Sequence, residues 1–280
     1  MSWFDPYHVP SASLKGVRRP AVAGAFYPAQ PAQLRAMITQ YLEEATLPPL
    51  PGRVRAVIAP HAGYIYSGPV AGYSFRALAP LPRDATVFLM GPAHYVPVPS
   101  VALGYFQSME TPLGPVAVDD ALVQALAEES PCMTIQNDAH LPEHSLEVEL
   151  PFLQMIASDR FRVVPMLLGQ PDPQCVADAL VPILASDANA RVVVSSDLSH
   201  YHPYAVARQL DAAFIDAVLR GDMVAVARGE ACGRYPILVL MHIAQALGWT
   251  PHLLDYRNSG DTAGDKRQVV GYAAIAFTED

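Results

Sequence analysis

Three short apolar runs constrain this chain more than any other feature, because each ends in a loop that presents a histidine. They read Val57-Ile-Ala-Pro-His61-Ala-Gly-Tyr64, Val87-Phe-Leu-Met-Gly-Pro-Ala-His94-Tyr95 and Val192-Val-Val-Ser-Ser-Asp197-Leu-Ser-His200. Short runs of this kind, rich in β-branched residues, are the signature of parallel strands buried on both faces. Segments of helical periodicity lie between them. Residues 31–44 place Leu34, Met37, Ile38, Tyr41 and Leu42 on one stripe, and further helices are predicted at 69–78, 119–129, 143–157, 173–185, 204–219 and 237–247. Alternating strands and helices call for a three-layer α/β/α sandwich. Short β segments over 101–118, with a turn at Thr111-Pro-Leu-Gly114, interrupt the alternation and predict a mixed central sheet. Residues 1–20 read as an N-terminal arm and 21–280 as a single domain.

Composition agrees with a large core. The 280 residues are 51% hydrophobic, and the mean hydropathy is +0.19. No apolar run reaches the roughly 18 residues of a membrane span, since His242 and Gln245 interrupt the longest candidate, 237–249. The N-terminus lacks the basic start and apolar stretch of a signal peptide, so a cytoplasmic location is expected. Eighteen basic against 27 acidic residues leave a net charge of −9, which argues against nucleic acid or an anionic membrane as partner. Three cysteines make no disulfide framework. Cys132 and Cys175 are expected to be buried structural thiols in a reducing compartment.

In open α/β sheets ligands sit beyond the carboxyl ends of the strands, so the three histidine loops are expected to converge. With Cys232, in the turn Ala231-Cys-Gly-Arg-Tyr-Pro236, His61 and His94 would give two imidazoles and a thiolate. That donor set suits iron, copper or zinc and leaves open positions for water or substrate. The plain alternative is a set of hydrogen-bonded loop histidines. Cys232 could also be a nucleophile, with a helix N-terminus and Arg234 favouring its thiolate. Asp197 and His200, three apart, could pair as carboxylate and base, or Asp197 could merely cap a helix. Glu143 reads as a first-turn carboxylate or as part of a polar knot with His140 and His144. His144, at the expected helix start, is favoured as a neutral base. Tyr64 and Tyr66 could donate to a substrate or pack in the core. His8, His202, His242 and His252 read as structural.

Five motifs in this order resemble the Memo family: Ala-Pro-His61-Ala-Gly-Tyr64, Gly-Pro-Ala-His94, Glu143-His144-Ser145-Leu-Glu147, Ser-Ser-Asp197-Leu-Ser-His200 and Cys232-Gly-Arg-Tyr-Pro236. Prokaryotic members of that family are called AmmeMemoRadiSam system protein B. The segment Arg19-Pro-Ala-Val-Ala-Gly-Ala-Phe-Tyr-Pro28 resembles the family's start. The resemblance implies a fold like the LigB-type class III extradiol dioxygenases, which are non-haem iron enzymes. It implies metal ligands at His61, His94 and Cys232, with His144, Asp197 and His200 lining the same pocket. Cysteine stands where a dioxygenase triad has a carboxylate. Animal members have been described as signalling proteins that bind phosphotyrosine peptides, and the family name reflects association with radical-SAM and AMMECR1-type proteins. The expected function is therefore an oxidoreductase using Fe(II) or copper on a small-molecule or peptide substrate. A zinc hydrolase, or a binding module for a peptide or metabolite, is the alternative.

Overall fold

A computed structural model describes residues 16–262 and 264–280. In chain order the elements are β1 (Val17–Arg18), α1 (Pro31–Glu44), β2 (Arg53–Ala59), α2 (Tyr64–Leu78), β3 (Ala85–Pro92), β4 (Val101–Leu103), β5 (Ser108–Thr111), β6 (Gly114–Val118), α3 (Asp120–Glu129) and β7 (Met133–Ile135). Then come α4 (Asn137–His140), a 3-10 turn (Glu147–Glu149), α5 (Leu150–Ile156), β8 (Phe161–Leu168), α6 (Pro173–Ser186), β9 (Arg191–Ser195) and β10 (His200–His202). The remainder comprises α7 (Tyr204–Leu219), α8 (Met223–Arg228), α9 (Arg234–Leu247), β11 (Thr250–Asn258), α10 (Ser259–Thr262) and β12 (Val269–Glu279).

The strands form one mixed sheet whose centre, β8-β3-β9-β2, is parallel throughout. β12 joins β2 antiparallel and β11 joins β12 antiparallel. On the far side, β6 (parallel) and β4 (antiparallel) share the outer edge of β8. Helices α1, α2 and α5 form one outer layer, and α6, α7, α8 and α9 form the other. Val87, Phe88, Leu89 and Met90 of β3 and Val192, Val193 and Val194 of β9 are wholly buried between them. Each such side chain is worth about 1.5–3 kcal/mol relative to exposure. The chain leaves β2 into α2, in the first layer, and reaches α7, in the second, after β9. Connections that part in opposite directions from neighbouring strands open a crevice beyond their carboxyl ends. The crevice here lies beyond β2, β9 and β3.

Helical periodicity located α1, α3, α6 and α7 to within a residue. Elsewhere the structure corrects the sequence reading. Helix α2 begins at Tyr64 rather than at 69, and Pro69 lies inside it. Five residues into a helix, proline removes one backbone hydrogen bond. Gly68 just before it lies so close to the Tyr41 ring that a Cβ would sit 2.3 Å from Cε2. The expected helix 143–157 is broken into a turn, the 3-10 segment and the seven-residue α5. Its first residues use side chains where a helix would use backbone. The Glu143 carboxylate accepts from the amides of His144 and Ser145, and the Ser145 hydroxyl donates to the Pro92 carbonyl. His144 therefore sits at no helix start. Helix α8 went unpredicted. Cys132 and Cys175 form a disulfide rather than two free thiols, and a sequence separation of 43 hides such a pairing from the sequence. It ties the α3–β7 connection to the first turn of α6.

Residues 1–15 of the expected arm lie outside the described residues. Its last part is integral to the fold, because β1 pairs with β5 and the Arg18 side chain is wholly buried.

Candidate metal centre

His61 follows β2 and His94 follows β3, and β9 lies between those two strands. Cys232 precedes α9, which rests on β9 and β3. A reciprocal backbone clasp brings the thiol over the same strand ends: the Cys232 amide donates to the Asp197 carbonyl, and the Asp197 amide donates to Cys232 Sγ, both at 3.2 Å. Gly233 makes this approach feasible, since a Cβ there would lie 2.5 Å from Ser196 Cβ. Cys232 Sγ ends 3.3 Å from His61 Nε2. The ligand-type atoms of His61, His94 and Cys232 all lie within 4.8 Å of one another.

Each imidazole is oriented from behind. The Ser195 hydroxyl donates to the Ser145 carbonyl at 2.6 Å, so its oxygen accepts from His61 Nδ1 at 2.7 Å. Glu149 Oε1 lies 2.9 Å from the same hydroxyl. His94 Nδ1 donates to Glu143 Oε1 at 2.9 Å. With Nδ1 protonated in both rings, each Nε2 keeps its lone pair for the crevice. This is the arrangement by which outer groups fix the tautomer and raise the basicity of a ligating histidine.

The electrostatics favour neutral rings at His61 and His144. Burial, then the neighbouring His94 and His144, hold His61 well below the usual histidine value. Burial also lowers His144. Burial opposes ionisation of Glu143, yet the hydrogen bond and charge of His94, with the amides of His94 and Ser145, hold its carboxyl at about 2. Asp197 is pushed up to about 7 by burial, against the amides of His61 and Ala62. Burial and then the Asp197 carboxylate push the Cys232 thiol upward, beyond what the amides of Asp197 and Gly233 offset. The entrance of α9 therefore does not make Cys232 a ready nucleophile. A thiolate at this position calls for a cation beside it.

His144 joins the cluster, stacked on His94 with ring centroids 4.8 Å apart and 5.6 Å from His61. Among the described residues its Nδ1 has no hydrogen-bond partner, and it lies 3.4 Å from Glu143 Oε1. His200 lies at the same end and is charge-coupled to His94, but its ring bonds the Leu198 carbonyl. Among the described residues no hydrogen bond joins His200 to Asp197, so the expected carboxylate–imidazole pair is not formed. Asp197 Oδ1 instead accepts from the His61 amide at 2.8 Å and fixes that loop. Tyr64 is structural, its hydroxyl bonded to the Val148 carbonyl, while Tyr66 is exposed. His202 pairs with Glu230 and His252 with Thr278. His8 lies outside the described residues.

Sequence reasoning missed Ser195 and the part played by Glu143; the adjacency of Glu143 to His144 was the one available signal. It also missed a buried brace beneath the site. Glu147 pairs with Arg18 and accepts from the Tyr27 hydroxyl and the amides of Ala21 and Val22. Arg18 also bonds the carbonyls of His140 and Glu143.

Residues 18–276 match the family model described as Memo-like protein. The chain belongs to the Memo family. A MEMO1 family protein of Archaeoglobus fulgidus is 39% identical over 272 residues, covering 93% of this chain and 99% of that protein. Relatives in Methanopyrus kandleri and Sulfolobus acidocaldarius are 38% and 36% identical, each over 93% of this chain and at least 98% of their own length. Among solved structures, an uncharacterized protein of Escherichia coli K12 shares the fold. Its TM-score is 0.51 at 14% identity, covering 80% of this chain and 99% of that one.

Proposed function

We propose that this protein is a metal-dependent oxidoreductase of dioxygenase-like type, with Fe(II), or copper, held by His61, His94 and Cys232. One observation carries this reading: three donor atoms lie within 4.8 Å of one another, and Ser195 and Glu143 hold both imidazoles at Nδ1, leaving Nε2 of His61 facing the Cys232 sulfur. The donor set fits such a metal, because imidazole nitrogen and thiolate sulfur are ready ligands and the raised Cys232 thiol needs a cation to ionise. Bound there, the metal would supply redox change and Lewis acidity.

The remaining work falls to the chain. His144, with its unpartnered Nδ1, and His200 are neutral imidazoles able to take up or deliver a proton at the mouth of the site. Asp197 positions the His61 loop. Glu143 orients His94 and, being ionised, offsets part of the cation's charge.

The test is anaerobic purification with metal analysis, repeated on Cys232→Ser and His94→Ala. About one iron or copper per chain, lost in both variants while the fold persists, is expected. Stoichiometric zinc would turn the reading to a hydrolase. Folded protein that takes up no metal on reconstitution would overturn it and leave a binding module.

A further inference from the structure

Beside the metal centre the crevice widens into a cavity of about 530 Å³. Its walls are Pro92, Pro97 and Pro99, the 168–170 turn, and Cys232, Arg234 and Tyr235 at the entrance of α9. The volume lies within the range of small-molecule sites, roughly 300–1,000 Å³. The lining therefore includes a candidate metal ligand and a prolyl, apolar stretch.

Among the described residues Arg234 is the sole charged residue lining this cavity, and no carboxylate lines it. Among the described residues no carboxylate lies within ion-pair reach of Arg234. Its guanidinium is held instead over the Tyr235 ring, 5.4 Å from the centroid. In a chain of net charge −9, acidic groups are plentiful, so an arginine left without one on a cavity wall is informative. Helix α9 also has no acidic residue in its first turn, so the positive end of its dipole adds to the arginine's field. Guanidinium presents paired donors that match the oxygens of a carboxylate or phosphate.

We propose that this cavity is the substrate pocket and that it takes a small organic anion. Carboxylate or phosphate oxygens pair with Arg234, and an apolar body lies along the prolyl wall, which brings the remainder of the molecule to Cys232. The assignment as substrate pocket rests on the metal reading above; the assignment of anion binding to Arg234 does not.

The experiment is calorimetric titration of the whole chain with benzoate, phenyl phosphate and neutral benzamide, with bound metal quantified on each sample. Wild-type protein should bind one or both anions and discriminate against benzamide, and the stronger anion distinguishes carboxylate from phosphate. Arg234→Gln should weaken anion binding tenfold or more, the loss expected for a charge-assisted hydrogen bond. Arg234→Lys should restore part of it, and the metal content of both variants should match wild type. Arg220→Gln, an exposed arginine paired with Asp216, should leave binding unchanged. Benzamide binding as tightly as benzoate, no binding of either anion to wild type, or unchanged affinity in Arg234→Gln would each overturn the pocket. Metal present without Arg234-dependent binding would leave the centre standing. Arg234-dependent binding on a protein that takes no metal would leave an anion site and remove the centre.

Discussion

Ser195 and Glu143 stand behind the two imidazoles, which depend on them for orientation. Removing the acceptor behind Nδ1 frees the ring to rotate and to change tautomer, and loss of such outer partners typically weakens metal binding about 10–100-fold. Ser195→Ala and Glu143→Gln should each show this in competition against a chelator. The candidate ligands were legible in the sequence, because Pro60, Gly63, Gly91 and Gly233 flank them with backbone suited to placement. Their supports were not, since Ser195 reaches His61 across 134 residues and Glu143 reaches His94 across 49. A pH effect belongs to the same scale. Burial holds His140 at about 4, below the ordinary 6.5, although its ring bonds the Ala102 carbonyl. Between those values the unfolded chain binds a proton that the folded chain refuses. The associated stability is complete above pH 6.5 and is lost as pH falls toward 4, amounting to about 3 kcal/mol. His140→Gln should flatten the dependence of the denaturation midpoint on pH in that window while leaving bound metal unchanged.

Among the elements, α9 decides whether the thiol arrives. Its entrance is pressed against β9, with the Gly233 amide donating to the Ser196 hydroxyl at 2.9 Å. A methyl at Gly233 would meet Ser196 Cβ and the Ser195 carbonyl at once. Gly233→Ala should cost about 1–3 kcal/mol of stability through this overpacking. It should also lower metal occupancy by shifting Cys232, which thermal melts and metal analysis of one preparation would show together. Periodicity revealed most helices because their buried stripes are regular. It failed over 143–157, where Glu143 and Ser145 divert backbone hydrogen bonds to loops, and at α2, where Pro69 looked like a boundary. The strand ends were legible for the opposite reason: the middles of β3 and β9 are buried on both faces, so residues 87–90 and 192–194 are apolar throughout.

Across the whole molecule, two links hold the periphery to the centre. The Arg18–Glu147 brace binds the first described strand to the segment that carries Glu143 and His144. The Cys132–Cys175 disulfide joins the β7 edge to α6, and closing a loop of this length stabilises by about 2–4 kcal/mol. Cys175→Ser should lower the unfolding midpoint by a corresponding amount in oxidising buffer and by nothing in reductant. Thiol titration of the unfolded wild-type chain without reductant should find Cys232 alone. The order of strands in the sheet carries a different consequence. Strand β9 is wedged between β3 and β2, so neither neighbour can complete its pairing until more than half of the chain has left the ribosome. Both histidines are delivered long before the strand that separates them, and the thiol comes later still. During translation those two strands present open edges of the kind that invite mispairing, and the three donors can meet only when synthesis is nearly finished.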